Sequence, residues 1–535
     1  MNGVTGNAST QVVTAGDSYI FKGGVVWDFT IWPWAPTASG NASTIPVGCA
    51  GSGCVTFTTD PTWYDSTNCS GAGYPGFCRP VFSGGGWIVV NSSCHYDVGT
   101  LVSSTPFMRM NGQTYWIIND FEFTGMCSST GTTNSGNPEA AYITASNGSH
   151  ADHFTVSNNY FHGWLFPAVT PDDTATTAAK GDYATAFAGS SSPCATNDAL
   201  HSEFHDNVVD GSDATGASNG QGYYSGEGVY GSPNTLYRNV FKNIPESFDP
   251  ACLQTFHDNL ALNGAGLSIS SVNNGSGIHT HVLNASPAGN STQSYVYNNY
   301  YVTIANGEGV SPVLTSGQSI FIFNDVMVNI IMGQPGPVGR TAGSAANAYK
   351  LDMVAGATAY LFNVTAECGP DAGTPSEQCF RVLGGTLNFL NNMSITTHSG
   401  SPVLVSGGTL NTGTTDLITE SLALANGQGY KCAPIINGLC TGQTFAFSPS
   451  AGSPTIGKGL NQINGYCALI TDGTARAACS QDTTYGVSYD TVNHLVLPGS
   501  PRTAASRPIS TAWDSGAYQF GTQPIPPTSP SSVVR

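Results

Sequence analysis

The stretch SYVYNNYYV, residues 294–302, decides the fold: alternating aromatic and β-branched residues run into an Asn and resume directly after it. Eight further segments repeat this pattern, at intervals of 20 to 48 residues. A fixed strand motif separated by loops of variable length is typical of a solenoid whose strands stack turn upon turn. The recurring residues are Asn119, Asn159, Asn207, Asn239, Asn259, Asn299, Asn324, Asn363 and Asn391.

The recurring Asn has a physical role at a sharp bend. Asn tolerates the left-handed backbone conformation, and its side-chain amide can bond the equivalent amide of the next strand at a spacing of about 4.8 Å. The nine residues are therefore predicted to form a structural asparagine ladder. Scattered turn residues of a β-sandwich would not explain why the same flanking pattern returns each time.

With this pattern the chain resembles the right-handed parallel β-helix proteins, the pectate-lyase-like superfold of secreted polysaccharide enzymes, tailspikes and adhesins. TAGDSYIFKGGVVW (residues 14–27) resembles the entry strand of that superfold. SPTIGKG (453–459), SPRTAA (500–505) and WDSGAYQF (513–520) resemble its closing segment. The resemblance implies an all-β, single-stranded, right-handed parallel β-helix with capped ends and long loops. These motifs are architectural and carry no chemistry.

Composition agrees with a strand-rich chain and excludes several partners. Of 535 residues, 65 are Gly and 31 are Pro, and only 9% are charged, which disfavours helices. The formal net charge of −18 would repel nucleic acid and an anionic membrane surface. No apolar run reaches the roughly 18 residues that a membrane span needs.

Composition shifts divide the chain into four regions. We expect an N-terminal cap with the entry strand and disulfide-rich loops over residues 1–105, and the β-helix coils over 106–425. A closing segment follows over 426–521, and a Pro- and Ser-rich tail over 522–535 is predicted to be disordered.

Fourteen cysteines, an even number in a chain so poor in charge, predict disulfides and an oxidising, extracellular or cell-surface location. Ten N-x-S/T sequons, among them Asn7, Asn147, Asn274 and Asn363, would permit glycosylation. No cysteine spacing matches a zinc site, and no metal site is predicted. The expected pairs, mostly between sequence neighbours, are Cys49/Cys54, Cys69/Cys78, Cys94/Cys127, Cys368/Cys379, Cys432/Cys440, Cys467/Cys479 and Cys194/Cys252.

Candidate catalytic residues lie on the strand that precedes the ladder strand. GIHTHVL (residues 277–283) alternates, so we expect His279 and His281 to face solvent while the apolar residues face the core. Glu227 and Asp249 should lie in the same sheet, with Tyr230 beside them as a substrate-binding residue. An acid, a base and hydrogen-bond donors on one exposed sheet could act on a sugar. Solvated surface residues are the plainer interpretation of the same pattern.

A second set of polar residues shares a register with the ladder. His153 and His201 lie six residues before it, and Tyr237 and Arg238 lie two and one residues before Asn239; these four are further substrate-binding candidates. Stacking along the register predicts an ion column of Asp206, Arg238 and Asp258. The position two residues before the ladder holds His205, Tyr237, His257 and Tyr297.

The expected function is that of a secreted, carbohydrate-active protein with a polysaccharide or cell-surface glycan as partner. A chain of net charge −18 is poorly equipped to bind a polyuronate, which favours a neutral glycan and a hydrolase. No lyase or polygalacturonase signature is present. No cofactor is predicted, although a lyase would need calcium. The alternative is a non-enzymatic adhesin or filament subunit that associates with itself, suggested by low charge and heavy disulfide stapling.

Overall fold

The fold is built from three long sheets, here called A, B and C, in which every strand pairing is parallel. The structure is a computed structural model, and on several strands of sheet C it describes the backbone alone. It describes residues 12–13, 16–27, 37–38, 53–66, 78–84, 88–90, 93–97, 100–101, 107–109, 115–126, 140–144, 153–166, 182–187, 202–213, 215–216, 227–231, 235–244, 248–265, 280–287, 292–305, 307–331, 347–368, 379–396, 401–413, 415–430, 435–436, 439–440 and 445–521.

From Met108 onward the chain visits sheets C, A and B in turn, so that each coil contributes one strand to each sheet, and two earlier coils contribute described strands to sheets A and B. Sheet A comprises Ser18–Gly23, Val55–Tyr64, Trp116–Asn119, Phe154–Ser157, Glu203–His205, Thr235–Tyr237, Thr255–His257, Gln293–Tyr297, Ser319–Phe323, Thr358–Phe362, Thr386–Leu390 and Thr409–Thr412. Sheet B comprises Val26–Trp27, Val81–Ser83, Glu122–Thr124, Tyr160–His162, Val208–Asp210, Val240–Lys242, Leu260–Ala265, Tyr300–Ala305, Val326–Ile331, Thr365–Cys368, Met393–Thr396 and Leu417–Thr419. Sheet C comprises Met108–Arg109, Ala140–Thr144, Asp182–Phe187, Glu227–Gly231, Phe248–Leu253, Thr280–Pro287, Gly307–Leu314, Asn347–Met353, Phe380–Val382 and Val403–Val405.

Short elements complete the described chain. The helices are Leu422–Gly427, Tyr466–Leu469 and Gly473–Cys479, and none of them is long enough to cross a bilayer. Parallel two-stranded pairs join Val12–Val13 to Thr37–Ala38 and Leu165–Phe166 to Thr215–Gly216. Antiparallel strands are Ile88–Val90 with Ser93–Asp97 and Thr100–Leu101, Ile435–Ile436 with Leu439–Cys440, and Tyr489–Asp490 with Leu495–Val496. The chain is thus an all-β parallel β-helix, as its repeated motif predicts.

The coil interior is filled by apolar residues at alternate strand positions. Phe161, Phe204, Phe241 and Phe256 stack on successive coils with ring centroids 6.1 to 6.4 Å apart, and all four are at most 1% exposed. Each such ring contributes about 2–3 kcal/mol by burial. Coils also begin earlier than the sequence suggests, because strands at 18–27 and 55–83, within the region predicted as a cap, already belong to sheets A and B.

An asparagine ladder lies at the bend between sheets A and B. The Nδ2 group of Asn159 donates to Oδ1 of Asn207 at 3.1 Å, and the same bond links Asn207 to Asn239, Asn239 to Asn259, and Asn259 to Asn299. Each Oδ1 also accepts the backbone N–H of the preceding ladder residue, for example from Asn207 to Asn239 at 3.1 Å. These amides are at most 1% exposed, so the ladder satisfies polar groups that the coil buries.

The other four predicted ladder residues are not members of the ladder, and the prediction was wrong for them. Asn324, Asn363 and Asn391 lie one position before the ladder, with φ between 55° and 59°, and Asn119 pairs with Ser157 inside sheet A. The bend contains two residues: the first takes the left-handed conformation and the second turns its side chain inward. Where Asn occupies the first of the two positions, the sequence motif does not reveal that the next residue is the one turned inward. On those coils the ladder position holds Phe121, Asp325, Val364 and Asn392.

The buried carboxyl of Asp325, at a ladder position, should make the free energy of unfolding depend on pH, and this dependence tests the ladder. Burial, opposed by hydrogen bonds from Asn299 and Tyr349, raises the pKa of Asp325 to about 8. A carboxyl whose pKa is higher in the folded state loses stability as pH rises, here between about pH 4 and pH 8. We expect Asp325→Asn to raise the free energy of unfolding by about 3 kcal/mol at pH 8 and much less at pH 4. Denaturant unfolding at both pH values, with exposed Asp352→Asn as control, checks this; parallel pH profiles for wild type and Asp325→Asn would contradict it.

Two of the predicted disulfides are present in the described residues. Cys368–Cys379 closes the loop between sheets B and C, and Cys467–Cys479 joins two helices, which confirms both pairings. Cys54 and Cys78 are also disulfide-bonded.

The other five predicted pairs each have one member outside the described residues, so their connectivity stays a prediction. Cys127 of the predicted Cys94/Cys127 pair lies just beyond the range that ends at Met126. Cys252 lies on the sheet C strand Phe248–Leu253, where its backbone pairs with Ser286, and its predicted partner Cys194 is outside the described residues. The structure therefore does not give the predicted disulfides of Cys127 and Cys252. The members outside the described residues are Cys49, Cys69, Cys127, Cys194 and Cys432.

Two of the predicted glycosylation sequons lie at inaccessible positions. Asn363 and Asn392 are completely buried in the coil. A glycan is bulky and must project from the surface. These two residues therefore cannot carry a glycan in the folded chain.

The C-terminal segment, residues 445–521, runs back along the outside of the coils. Its residues bury part of the outer face of sheet B, with Tyr485 stacked on Tyr300 at 4.0 Å, and part of the outer face of sheet A around Phe362. The predicted closing segment therefore lies along the outside of the coils, and we call residues 445–521 the strap. The predicted disordered tail, 522–535, lies outside the described residues.

Candidate functional site

The described residues of the predicted catalytic set, Glu227, Asp249 and His281, lie on strands of sheet C, and only their backbone is described. Tyr230 and Asp249 are register partners on adjacent strands, and Glu227 pairs with Tyr183. His281 lies on the next strand, Thr280–Pro287, and pairs with Glu308. His279 and His201 lie outside the described residues. The fold therefore brings Tyr230 and Asp249 together and places His281 one strand away.

The backbone register of this strand is fixed by Leu283, which pairs with Val310, a residue completely buried in the coil core. Only the backbone of His281 is described, and His279 lies outside the described residues. The exposure of these two histidines to solvent therefore stays a prediction.

His153 and Arg238 take structural positions. His153 is only 9% exposed, has φ 57° at a bend, and stacks on Tyr115 with ring centroids 4.4 Å apart. Arg238 donates from Nε to Asp206 at 2.8 Å and from its two Nη groups to the carbonyls of Gly499 and Leu497, both at 2.9 Å. His153 is thus buried at a bend and Arg238 holds the C-terminal segment, while their predicted role in substrate binding stays a prediction.

Tyr237, the remaining predicted binding residue, belongs to a column of rings on the outer face of sheet A. We call His205, Tyr237, His257 and Tyr297 the His/Tyr column. Their ring centroids are 4.6, 5.3 and 4.7 Å apart in that order, with ring planes within 10° of parallel. Their common register predicts this stack, because equivalent residues of successive coils lie one strand spacing apart.

Carboxylates hold the two imidazoles of the column. His205 Nδ1 lies 2.9 Å from Asp206 Oδ2, and His257 Nδ1 lies 2.6 Å from Asp258 Oδ2. A carboxylate beside Nδ1 keeps the proton on that nitrogen in the neutral ring and leaves the lone pair of Nε2 as a base. The column therefore contains two oriented imidazoles with Tyr237 between them.

Glu203 completes this polar group. Its Oε2 atom lies 4.0 Å from His205 Nε2, its side chain is 46% exposed, and it bonds the Tyr237 hydroxyl. Although burial alone would raise the pKa of Asp206, hydrogen bonds and charges from His205 and Arg238 lower it below its usual range. Burial followed by the nearby carboxylates raises the pKa of Tyr237, so that hydroxyl stays a neutral donor.

The C-terminal segment covers one end of the His/Tyr column and leaves the other end accessible. The column continues from Tyr297 to Phe323 and Phe362, with centroids 5.0 and 5.4 Å apart, but these rings are buried beneath Cys467, Ile470 and Trp513. The side chains of His205 and His257 keep 18% and 16% of their surface exposed. Within the described ranges, the accessible part of the column thus runs from His205 to His257, with Glu203 beside His205.

The residues at the left-handed bend position anchor the C-terminal segment. Asn324 donates to the carbonyls of Ala478 and Gln481, and Asn391 donates to the carbonyl of Leu460 at 2.7 Å and accepts its N–H at 2.8 Å. Asn363, between them, has no hydrogen-bond partner for its side chain and is completely buried. The wrongly assigned ladder residues Asn324 and Asn391 therefore dock the strap.

Asn324 bonds the C-terminal segment and Asn363 does not, so the two residues give a matched pair of variants. Asn324→Gly keeps the left-handed backbone accessible but removes the bonds to Ala478, Gln481 and Arg507, so we expect a loss of about 2–3 kcal/mol. Asn363→Gly removes no side-chain bond and should cost less than about 1 kcal/mol. Hydrogen exchange of residues 473–482 should accelerate in Asn324→Gly alone. Equal effects of the two substitutions would contradict a docking role.

A second polar cluster lies on the outer face of sheet B. His162 Nδ1 is 2.6 Å from Asp213 and Nε2 is 3.0 Å from Glu122, while Lys242 pairs with Asp210 at 2.9 Å. Burial would lower the pKa of His162, but bonds and charges from Asp213 and Glu122 raise it to about 9. Both ring nitrogens have a carboxylate partner, so the polar groups of this cluster are paired with one another.

No group of His, Cys, Asp and Glu in the described residues could hold a metal ion. No protein-family model and no curated protein matches the chain. The candidate-site members Glu203, His205 and His257 were absent from the predicted catalytic set, although their shared register two and four positions before the ladder was the available signal.

Proposed function

We propose that this protein is a secreted glycan-degrading enzyme of the pectate-lyase-like β-helix superfold, that it acts as a hydrolase on a neutral polysaccharide, and that its site is the exposed part of the His/Tyr column. One observation supports this most: Glu203 lies 4.0 Å from Nε2 of His205, and Asp206 holds the opposite nitrogen of that ring at 2.9 Å. A half-exposed carboxyl group and an oriented imidazole thus stand side by side, and general acid–base catalysis needs groups of these two kinds.

The chemistry follows from these positions. Glu203, 46% exposed, would donate a proton to the glycosidic oxygen as the bond to the anomeric carbon breaks. A water molecule would attack that carbon and lose its proton to Nε2 of His205, whose Nδ1 is held by Asp206. The Tyr237 ring offers a flat apolar face against which a sugar can stack.

The charge distribution favours a neutral substrate. Asp206 and Asp258 lie beside the column, and the guanidinium of Arg238, the nearby cation, is bonded to Asp206 and to two carbonyls. A polyuronate would meet uncompensated negative charge. Disulfides fit an oxidising, extracellular environment.

The test is a screen for released sugars over neutral and acidic polysaccharides, with calcium and with a chelator. We expect hydrolysis of a neutral glycan that does not need calcium, and a loss of 10²- to 10⁴-fold in kcat in Glu203→Gln and His205→Ala. Glu227→Gln and Asp249→Asn test the sheet C candidates and should retain activity.

Other outcomes are equally informative. Loss of activity in Glu227→Gln or Asp249→Asn alone would move the site to sheet C. Unsaturated products that require calcium would indicate a lyase. Glycan binding without turnover, or ordered self-assembly without glycan binding, would favour the adhesin or filament alternative.

A further inference from the structure

The C-terminal segment reaches the second imidazole of the column. The Thr484 hydroxyl donates to Oδ1 of Asp258, while Oδ2 of the same carboxylate lies 2.6 Å from His257 Nδ1. Thr484 is separated from Asp258 by 226 positions in the chain. A residue of the strap thus completes a chain of hydrogen bonds from outside the coil to a ring of the site.

Thr484 lies on a firmly held part of the strap. Gly486 donates its N–H to the carbonyl of Asn298 at 2.8 Å, and a Cβ atom at Gly486 would lie 2.7 Å from the carbonyl oxygen of Asn259. Arg502, which pairs with the nearby buried Asp482, donates its N–H to the carbonyl of Thr484. The backbone that carries the hydroxyl therefore has little freedom to move.

The two Asp–His pairs differ in what occupies the second carboxylate oxygen. Asp206 accepts from Arg238, a residue of the same sheet, whereas Asp258 accepts from Thr484. A carboxylate bonded at one oxygen only can rotate away from its imidazole. A second partner fixes the rotamer of the carboxylate and with it the ring, as outer hydrogen bonds do for metal-binding histidines.

We propose that Thr484 is a positioning residue for the Asp258–His257 pair, so that the site is complete only with the strap docked. This rests on the proposed function and deepens it: the strap that covers one end of the column also orients the accessible part. His257 then holds the sugar unit next to the one that is cleaved, through Nε2 and in a fixed direction.

The experiment compares Thr484→Val with Thr484→Ser. Val removes the hydroxyl at nearly constant volume and Ser restores it. Thr471→Val is the matched control, because Thr471 also joins the strap to the coil, through Gln293 and Tyr295, but away from the site. We expect Thr484→Val to lower kcat/KM by about 10- to 100-fold, with Thr484→Ser and Thr471→Val within about 3-fold of wild type.

A second readout separates positioning from folding. Nitrogen NMR of the histidine rings in the full chain should report a proton fixed on Nδ1 of His257 in wild type and in Thr484→Ser, and a mixture of tautomers in Thr484→Val. An unchanged His257 signal together with unchanged kcat/KM in Thr484→Val would overturn the inference. If wild type degrades no glycan, the proposed function fails, yet the NMR comparison still decides whether Thr484 positions His257.

Discussion

Replacing Asn239 by Leu is expected to lower the free energy of unfolding by about 3–5 kcal/mol, the range seen when a buried polar network is broken. The Asn239 Oδ1 accepts from the backbone N–H and the Nδ2 of Asn207, and its Nδ2 donates to the carbonyl of Phe204 at 2.9 Å and to Asn259 at 3.0 Å. Leu of similar size supplies none of these groups. The buried backbone N–H of Asn207 and the Phe204 carbonyl would then lose these partners.

The matched control is Asn411→Ala, because the Asn411 amide also bonds an equivalent Asn, Asn388, but at an exposed position. We expect the control to change stability by less than about 0.5 kcal/mol. Equilibrium denaturation followed by circular dichroism measures both variants. An equal, small effect would mean that water or neighbouring groups satisfy the ladder after substitution, and the ladder would then not determine coil stability.

Replacing Asp482 by Ala is the second large effect, and it should act on the C-terminal segment first. Arg502 donates both Nη groups to Asp482, each at 2.5 Å, and the two side chains are 3% and 0% exposed. Asp482 also accepts the backbone N–H of Gln519 at 2.9 Å. Removal of one partner of a buried ion pair leaves a buried charge and costs about 3–5 kcal/mol.

Because these bonds lie inside the C-terminal segment, limited proteolysis of Asp482→Ala should cleave residues 445–521 before the coils. Ile509→Ala, at a side chain that is 80% exposed in the same segment, should leave the cleavage pattern unchanged. Uniform cleavage of coils and strap would contradict a strap that is stabilised on its own.

The strands of sheets A and B were predictable because alternation around a polar bend is a local signal. The exact ladder residue was not always predictable: in NDV (324–326) and NNM (391–393) both bend residues are polar, and the geometry that selects the second of them is invisible in the letters. In DNL (258–260) and RNV (238–240) Asn stands at the second position only, and there the predicted residues, Asn259 and Asn239, are members of the ladder.

The course of the C-terminal segment was not predictable, for a different reason. It is held by side chains that bond backbone carbonyls, such as Arg238 to Leu497 and Asn324 to Gln481, and carbonyls have no sequence signature. The candidate site likewise has one part that was predictable from sequence and one part that was not. The stacking of His205, Tyr237 and His257 could be inferred from register, whereas burial of the rings beyond Tyr297 depends on where the strap lies.

The most direct test of the account is the affinity of the best glycan from the screen for Tyr237→Ala, measured by calorimetry beside Tyr360→Ala. Tyr360 stacks on the same outer face of sheet A, on Phe321 at 4.5 Å, but lies under Tyr466 of the strap. We predict at least a 10-fold weaker Kd for Tyr237→Ala, about 1.4 kcal/mol, and no change for Tyr360→Ala. Unchanged affinity in Tyr237→Ala, with both variants folded, would contradict a glycan site on the His/Tyr column.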